Sequence, residues 1–203
     1  MTSLHQTWKT HTPPLRFDEW RESWLIWNPI LVAHIWDDAA CRQFVFDHEP
    51  SLLPTYDAFP AHIMRVDTIR YVWMRHIGGI YADLDVECLR PMGHLHTTGA
   101  HLIMEKMGPA NDTIGNACMA STPGDPFWAH VLDMVKDRAR RMLWSWAKES
   151  FPERCHSVLR ITGPYMLTDA LKSYSGKVHV HPESESGIKH HGTGTWWRSG
   201  VVL

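Results

Sequence analysis

The 203-residue chain has no apolar run approaching the roughly 20 residues that a membrane-spanning helix needs. Its first ten residues, MTSLHQTWKT, lack the charged-then-apolar profile of a secretory leader. It has only four cysteines (Cys41, Cys88, Cys118 and Cys155), far apart and without a CxxC pair, which excludes a zinc-ribbon framework and fits reduced thiols. A formal net charge of −2 leaves no broad basic field, so wholesale nucleic-acid binding is excluded as a role. No repeat, low-complexity block or linker-like stretch divides the chain. These absences predict a single domain over residues 1–203, in a cytoplasmic setting, with no membrane span and no nucleic-acid partner.

Tryptophan and histidine are plentiful instead, at 11 and 15 residues. Trp20, Trp24 and Trp27 fall at i, i+4 and i+7, an apolar stripe at helical spacing that reads as core packing. Along the chain, strand and helix patterns alternate. SLHQTW reads as a first strand, FDEWRESWLIWN as a helix, ILVAHIWDD as a buried parallel strand, and AACRQFVFDHEP as a helix closed by Pro50. AHIMRVDTIRYVWMRHIGG is helical up to the terminator Gly78-Gly79, and IYADLDVECL and AHLIMEKM read as strands. DPFWAHVLDMVKDRARRMLWSW and GPYMLTDALKSY are further helices, and GKVHVHP is a late strand. The alternation predicts an α/β fold with a mainly parallel central sheet flanked by helices.

The segment GGIYADLDV, residues 78–86, carries the chemistry. In an extended strand Asp83 and Asp85 face one side, and two close carboxylates repel unless a cation or proton lies between them. At the carboxyl end of a parallel strand they stand where open α/β sheets bind ligands. Oxygen ligands of this kind suit Mg²⁺ or Mn²⁺ bridging to phosphates, which points to a nucleotide diphosphate. A D-x-D by itself is common by chance. Asp67 and Arg70, three apart on the preceding helix, add a carboxylate and a guanidinium on one helical face. They read either as an ion pair or as groups aimed at sugar hydroxyls.

The stretch RVDTIRYVWMRHIGGIYADLDVECLRPM resembles the signature of DxD-type sugar transferases. That family includes the fungal Golgi α-mannosyltransferases and the inositol-phosphorylceramide mannosyltransferases, with the clostridial toxin glucosyltransferases as distant members. LHQTWKT, NACMASTPGDPFW, TGPYMLT and HHGTGTW are similar to further family segments, with Gly192 and Thr195 departing from the usual aromatic and serine. The resemblance implies one Rossmann-like nucleotide-sugar transferase domain of GT-A type. It implies transfer of a hexose, with retention, from a GDP- or UDP-sugar to a glycan, lipid or protein hydroxyl, with Mn²⁺ or Mg²⁺ as cofactor.

Residue by residue, the resemblance implies that Asp85 ligates the metal and that Asp83 contacts the donor. Asp67 and Arg70 would hold sugar hydroxyls with Tyr81 nearby, and Trp8 would stack on the base. One of His190 and His191 would complete the metal site, with His191 preferred, and Thr195 and Trp196 would meet the diphosphate. Three other readings stand beside it: a haloacid-dehalogenase-type phosphatase, a non-catalytic sugar-nucleotide or glycan-binding relative, and a partner-binding domain. Val86 and Glu87 after the motif, where such a phosphatase has Gly or Thr, speak against the first.

Overall fold

The computed structural model describes residues 2–92, 95, 98–106 and 112–194. Its elements, in order, are β1 (Ser3–Thr7), α1 (Asp18–Trp27), β2 (Val32–Trp36), α2 (Asp38–His48), α3 (Leu53–Ala58), α4 (His62–His76), β3 (Gly79–Ala82) and β4 (Val86–Cys88). β5 (Ala100–Lys106), β6 (Asp112–Ser121), α5 (Pro126–Met142), α6 (Phe151–Ile161), α7 (Pro164–Ser173), β7 (His179–Pro182), α8 (Glu183–Ser186) and β8 (Ile188–His190) follow.

Among the described residues, six strands form the central sheet in the order β2-β1-β3-β6-β5-β7. β1 lies parallel to β2 and β3, β5 lies parallel to β7, and β6 opposes both of its neighbours. The mainly parallel sheet expected from the alternating pattern is therefore present, with β6 as its reversed strand. That strand is the longest of the sheet, and its sequence, DTIGNACMAS, gave no strand signal. Its small and polar residues have weak β propensity, and packing on both faces overrides that weakness. β2 also departs from its expected place: it is the sheet's edge, and Val32 is exposed.

Local chemistry sets the helix boundaries. Asp37 Oδ1 accepts the Ala40 N–H at 2.8 Å and starts α2, and Asp125 Oδ1 accepts the Phe127 N–H at 2.9 Å ahead of Pro126 in α5. Ser150 and Glu153 form a capping box that opens α6, a helix the periodicity left unassigned. α4 stops at Gly78, at φ +60°, whose N–H returns to Trp73 O at 2.9 Å. Gly79 then lies so close to β1 that a Cβ there would stand 2.4 Å from Ser3 O.

Among the described residues two cores form, one on each face of the sheet. Trp73, Tyr81, Leu102, Met119, Trp128 and Leu167 join the helical face. Leu4, Trp24, Ile80, Val86, Ile103 and Ile188 join the other. This second face is covered by α1 and by a two-stranded sheet of β4 and β8. Of the tryptophan stripe, only Trp24 is core: its Nε1 donates to Val86 O at 2.9 Å, tying α1 to β4, while Trp27 is exposed. No helix among the described residues is long and apolar enough to cross a membrane.

Candidate active site

The expected strand through IYADLDVECL is two strands with a turn between them. β3 ends at Ala82, and the Val86 N–H closes back on Asp83 O at 3.1 Å. The chain then leaves the central sheet and enters β4, which pairs antiparallel with β8 in the register Val86↔His190, Glu87↔Lys189 and Cys88↔Ile188. Asp83 and Asp85 therefore sit on a connection between two sheets, not side by side on one pleated strand. The Asp83 N–H still bonds the central sheet at Ala117 O, 2.7 Å away.

That register decides which histidine meets the aspartates. Side chains alternate along a strand, so Ile188 and His190 turn inward while Lys189 and His191 turn away. Asp83, Asp85 and His190 each offer a ligand atom within 4.8 Å of the others. His190 Nε2 lies 3.6 Å from Asp85 Oδ1, and its Nδ1 lies 3.4 Å from Glu105 Oε2. His191, the preferred residue on sequence grounds, stacks on Trp20 at 4.2 Å between centroids and places Nε2 2.9 Å from Glu87 Oε2. Its backbone N–H, not its ring, reaches Asp85, bonding the carbonyl at 2.9 Å.

Asp85 is held from the tail: its Oδ2 accepts Thr193 N–H at 2.8 Å and Thr193 Oγ1–H at 2.7 Å. Burial disfavours the His190 imidazolium, but the hydrogen bond to Glu105 and the charges of Glu105, Asp83 and Asp85 outweigh it and hold the ring's pKa up at about 9. Two carboxylates and an imidazole fit a small divalent cation, and the nitrogen donor suits Mn²⁺ better than Mg²⁺.

Beneath this cluster lies a buried charged network. Arg70 is 2% exposed and Asp67 is 4% exposed, one turn apart on α4. Arg70 Nη2 is 3.2 Å from Asp67 Oδ1, Nη1 is 3.3 Å from Asp83 Oδ1, and the guanidinium lies over the Tyr81 ring at 4.7 Å. The Tyr81 hydroxyl donates to the same Asp83 oxygen. Asp67 also accepts Asn116 Nδ2–H and Thr162 Oγ1–H, both at 2.9 Å, and Arg70 Nη1 donates to Asn116 O at 2.5 Å. Burial raises the Asp67 pKa to about 6 against the opposing pull of Arg70. Burial also raises Asp83, Arg70 opposes the rise, and Asp85 adds to it.

Asp67 and Arg70 thus meet protein partners, and Arg70 links Asp67 to Asp83. Trp8, at the end of β1, is half-buried with its ring edge-on to Phe17 at 5.5 Å. On the helical face opens a cavity of about 410 Å³ lined in part by Thr7, Asp38, Tyr56, His62, Arg65 and Val66. Thr7 ends β1, which lies parallel to β3, so the cavity opens at the sheet end that carries Asp83. Thr195 and Trp196 lie outside the described residues. Glu105, Asn116, Thr162 and Thr193 are site neighbours that no motif singles out. Asn116, Thr162 and Thr193 lie in the segments NACMAS, TGPYMLT and HHGTGTW, whereas nothing local marks Glu105.

Comparison with known proteins agrees with this geometry. Residues 5–109 match the model of the glycosyltransferase sugar-binding region containing the DXD motif. The chain is 30% identical over 138 residues to inositol phosphoceramide mannosyltransferase 2 of Schizosaccharomyces pombe, covering 68% of this chain and 39% of that protein. It is 29% identical over 171 residues to the mannosyl phosphorylinositol ceramide synthase SUR1 of Saccharomyces cerevisiae, covering 84% and 41%. The matches thus span about two fifths of the length of these relatives. Among solved structures, the glycosyltransferase domain of the YGT toxin superposes with a TM-score of 0.64 at 8% identity, over 91% of this chain and 80% of that one. The PaToxG glycosyltransferase gives 0.58 at 19%, over 84% and 68%. The fold is of the GT-A type. With Asp67, Arg70, Asp83 and Asp85 all inside the matched region, the chain belongs to the glycosyltransferase family whose sugar-binding region contains the DXD motif.

Proposed function

We propose that the protein is a divalent-metal-dependent, retaining glycosyltransferase that moves a hexose from a GDP- or UDP-sugar to a hydroxyl of a glycan, lipid or protein. The observation that carries this reading is the convergence of Asp83, Asp85 and His190 above the Tyr81–Arg70–Asp67 network. Two relatives are named for mannosyl transfer to, or synthesis of, an inositol-containing ceramide lipid, so mannose is the first sugar to test.

Asp85 and His190 would hold the cation, with Asp83 beside them. When bound, the cation offsets the negative charge that gathers on the departing nucleoside diphosphate. Tyr81 and Arg70 both engage Oδ1 of Asp83, which orients that carboxylate and leaves its second oxygen for the donor. Arg70 also keeps a positive charge beneath the site, in a poorly hydrated place where it acts strongly. Trp8 would stack on the base, and Thr195 and Trp196 would contact the diphosphate. No protein nucleophile is assigned. A phosphate oxygen of the leaving group can accept the acceptor's proton, so no separate base is required.

A screen of donor hydrolysis over GDP-mannose, UDP-galactose, UDP-glucose and UDP-N-acetylglucosamine, with Mn²⁺ or with chelator, tests the reading. Turnover that needs the cation and vanishes in Asp85→Ala supports it. Binding of a donor without turnover would favour a non-catalytic relative, and no binding at all would reject both.

A further inference from the structure

Glu105 is the next-to-last residue of β5, at the sheet end that carries the aspartates, and it belongs to no motif. The residue is 8% exposed. Oε2 stands 3.4 Å from His190 Nδ1, and Oε1 is buried without a hydrogen-bond partner among the described residues. β6 makes room for this carboxylate by having Gly115 alongside it: a Cβ there would fall 2.2 Å from Oε1 and 2.3 Å from Cδ. Burying a carboxylate is unfavourable unless it is paired, and His190 is its partner among the described residues. The other nitrogen of the same ring, Nε2, is the one beside Asp85.

A neutral imidazole has one N–H and one lone pair, and a partner on one nitrogen decides which is which. We propose that Glu105 is a positioning residue for the metal centre: it takes the Nδ1–H of His190 and so presents the Nε2 lone pair to a cation shared with Asp83 and Asp85. Gly115 keeps the slot open in which the carboxylate lies. This rests on the metal-dependent reading of the site. A carboxylate behind a ligating histidine fixes the ring's rotation as well as its tautomer, and losing such a group typically weakens metal affinity about 10- to 100-fold.

The test is a Mn²⁺ titration of the full chain without donor, following free Mn²⁺ by electron paramagnetic resonance. Glu105→Leu removes the acceptor and is expected to weaken affinity by about 10- to 100-fold. Glu105→Gln keeps an acceptor oxygen and is expected to recover part of that loss. Gly115→Ala, which crowds the carboxylate, is expected to fall between Glu105→Leu and wild type. The last two variants carry the test if the leucine variant does not fold. Nitrogen-15 spectra of His190, at a pH where the ring is neutral, should show Nδ1–H in the wild type and a shift toward Nε2–H in Glu105→Leu. Wild-type Mn²⁺ binding with every variant within twofold of it overturns the role of Glu105 alone. A wild type that binds no Mn²⁺ overturns the metal reading, and this inference with it.

Discussion

His190 Nε2 stands 3.6 Å from Asp85 Oδ1, while the ring of the adjacent His191 lies flat against Trp20. One residue of strand register separates a candidate ligand from a packing side chain. His190→Ala should therefore weaken Mn²⁺ binding at least tenfold, whereas His191→Ala should leave it within about twofold. Calorimetric titration of both variants measures this, and equal losses would contradict the assignment.

Asp85 takes two hydrogen bonds from Thr193, so its carboxylate joins the tail to the turn as well as facing the cluster. Asp85→Asn keeps the size and one acceptor but removes the charge. Cation-dependent donor hydrolysis is expected to fall at least 100-fold, about 2.7 kcal/mol of transition-state stabilisation, with the urea midpoint nearly unchanged. Activity near the wild-type level would remove Asp85 from the metal site.

Arg70 lies buried between Asp67 and Asp83. Truncating it leaves two carboxylates without their counter-charge. Arg70→Ala should destabilise the fold by about 3–5 kcal/mol, the usual penalty for orphaning a buried ion pair. Urea denaturation gives the number. A loss below about 1 kcal/mol, typical of an exposed pair, would mean the network is hydrated.

His5 gives the fold an acid limit. Its ring stacks on Trp73, its Nδ1 accepts from Trp36 Nε1–H at 3.2 Å, and its Nε2–H donates to Gly78 O at 3.1 Å. The neutral ring satisfies both contacts, and a second proton would meet the Trp36 N–H head-on. Burial, with His34 adding to it, lowers the pKa from 6.5 to about 4. Stability from this group is therefore complete above pH 6.5 and is lost as pH falls toward 4, by about 3 kcal/mol. Urea midpoints of wild type and His5→Gln, compared from pH 7 to 4.5, should converge as the solution is acidified. A constant gap would show that His5 does not titrate in this window.

Gly79 has φ +85° and stands against Ser3 O. Gly79→Ala combines an unfavourable backbone conformation with a clash against the neighbouring strand, and about 3 kcal/mol or more of stability should be lost. Thermal unfolding checks this, and a melting temperature within a degree of wild type would contradict it.

Much of the molecule was legible along the chain because its signals are local. The i, i+3 spacing of Asp67 and Arg70, the glycine stop at 78–79 and the D-x-D after an apolar run are short-range facts of helix and turn geometry. So is the strand–helix alternation that predicted the sheet. β6 escaped because its small residues become a strand only by filling the space between β3 and β5. The turn at Asp83–Asp85 escaped because period-two alternation cannot show where a strand changes sheets.

The sequence by itself determined the family's chemistry: which acids and which guanidinium the site is built from. Only the tertiary structure decided how they are used. It turned His190 rather than His191 toward the aspartates, set Glu105 behind it, and enclosed Asp67 and Arg70 with Asn116 and Thr162. The reason is that strand register and side-chain burial are fixed by partners far away in sequence. β8 meets β4 about a hundred residues after it, and no local pattern records which face of a strand that meeting turns inward.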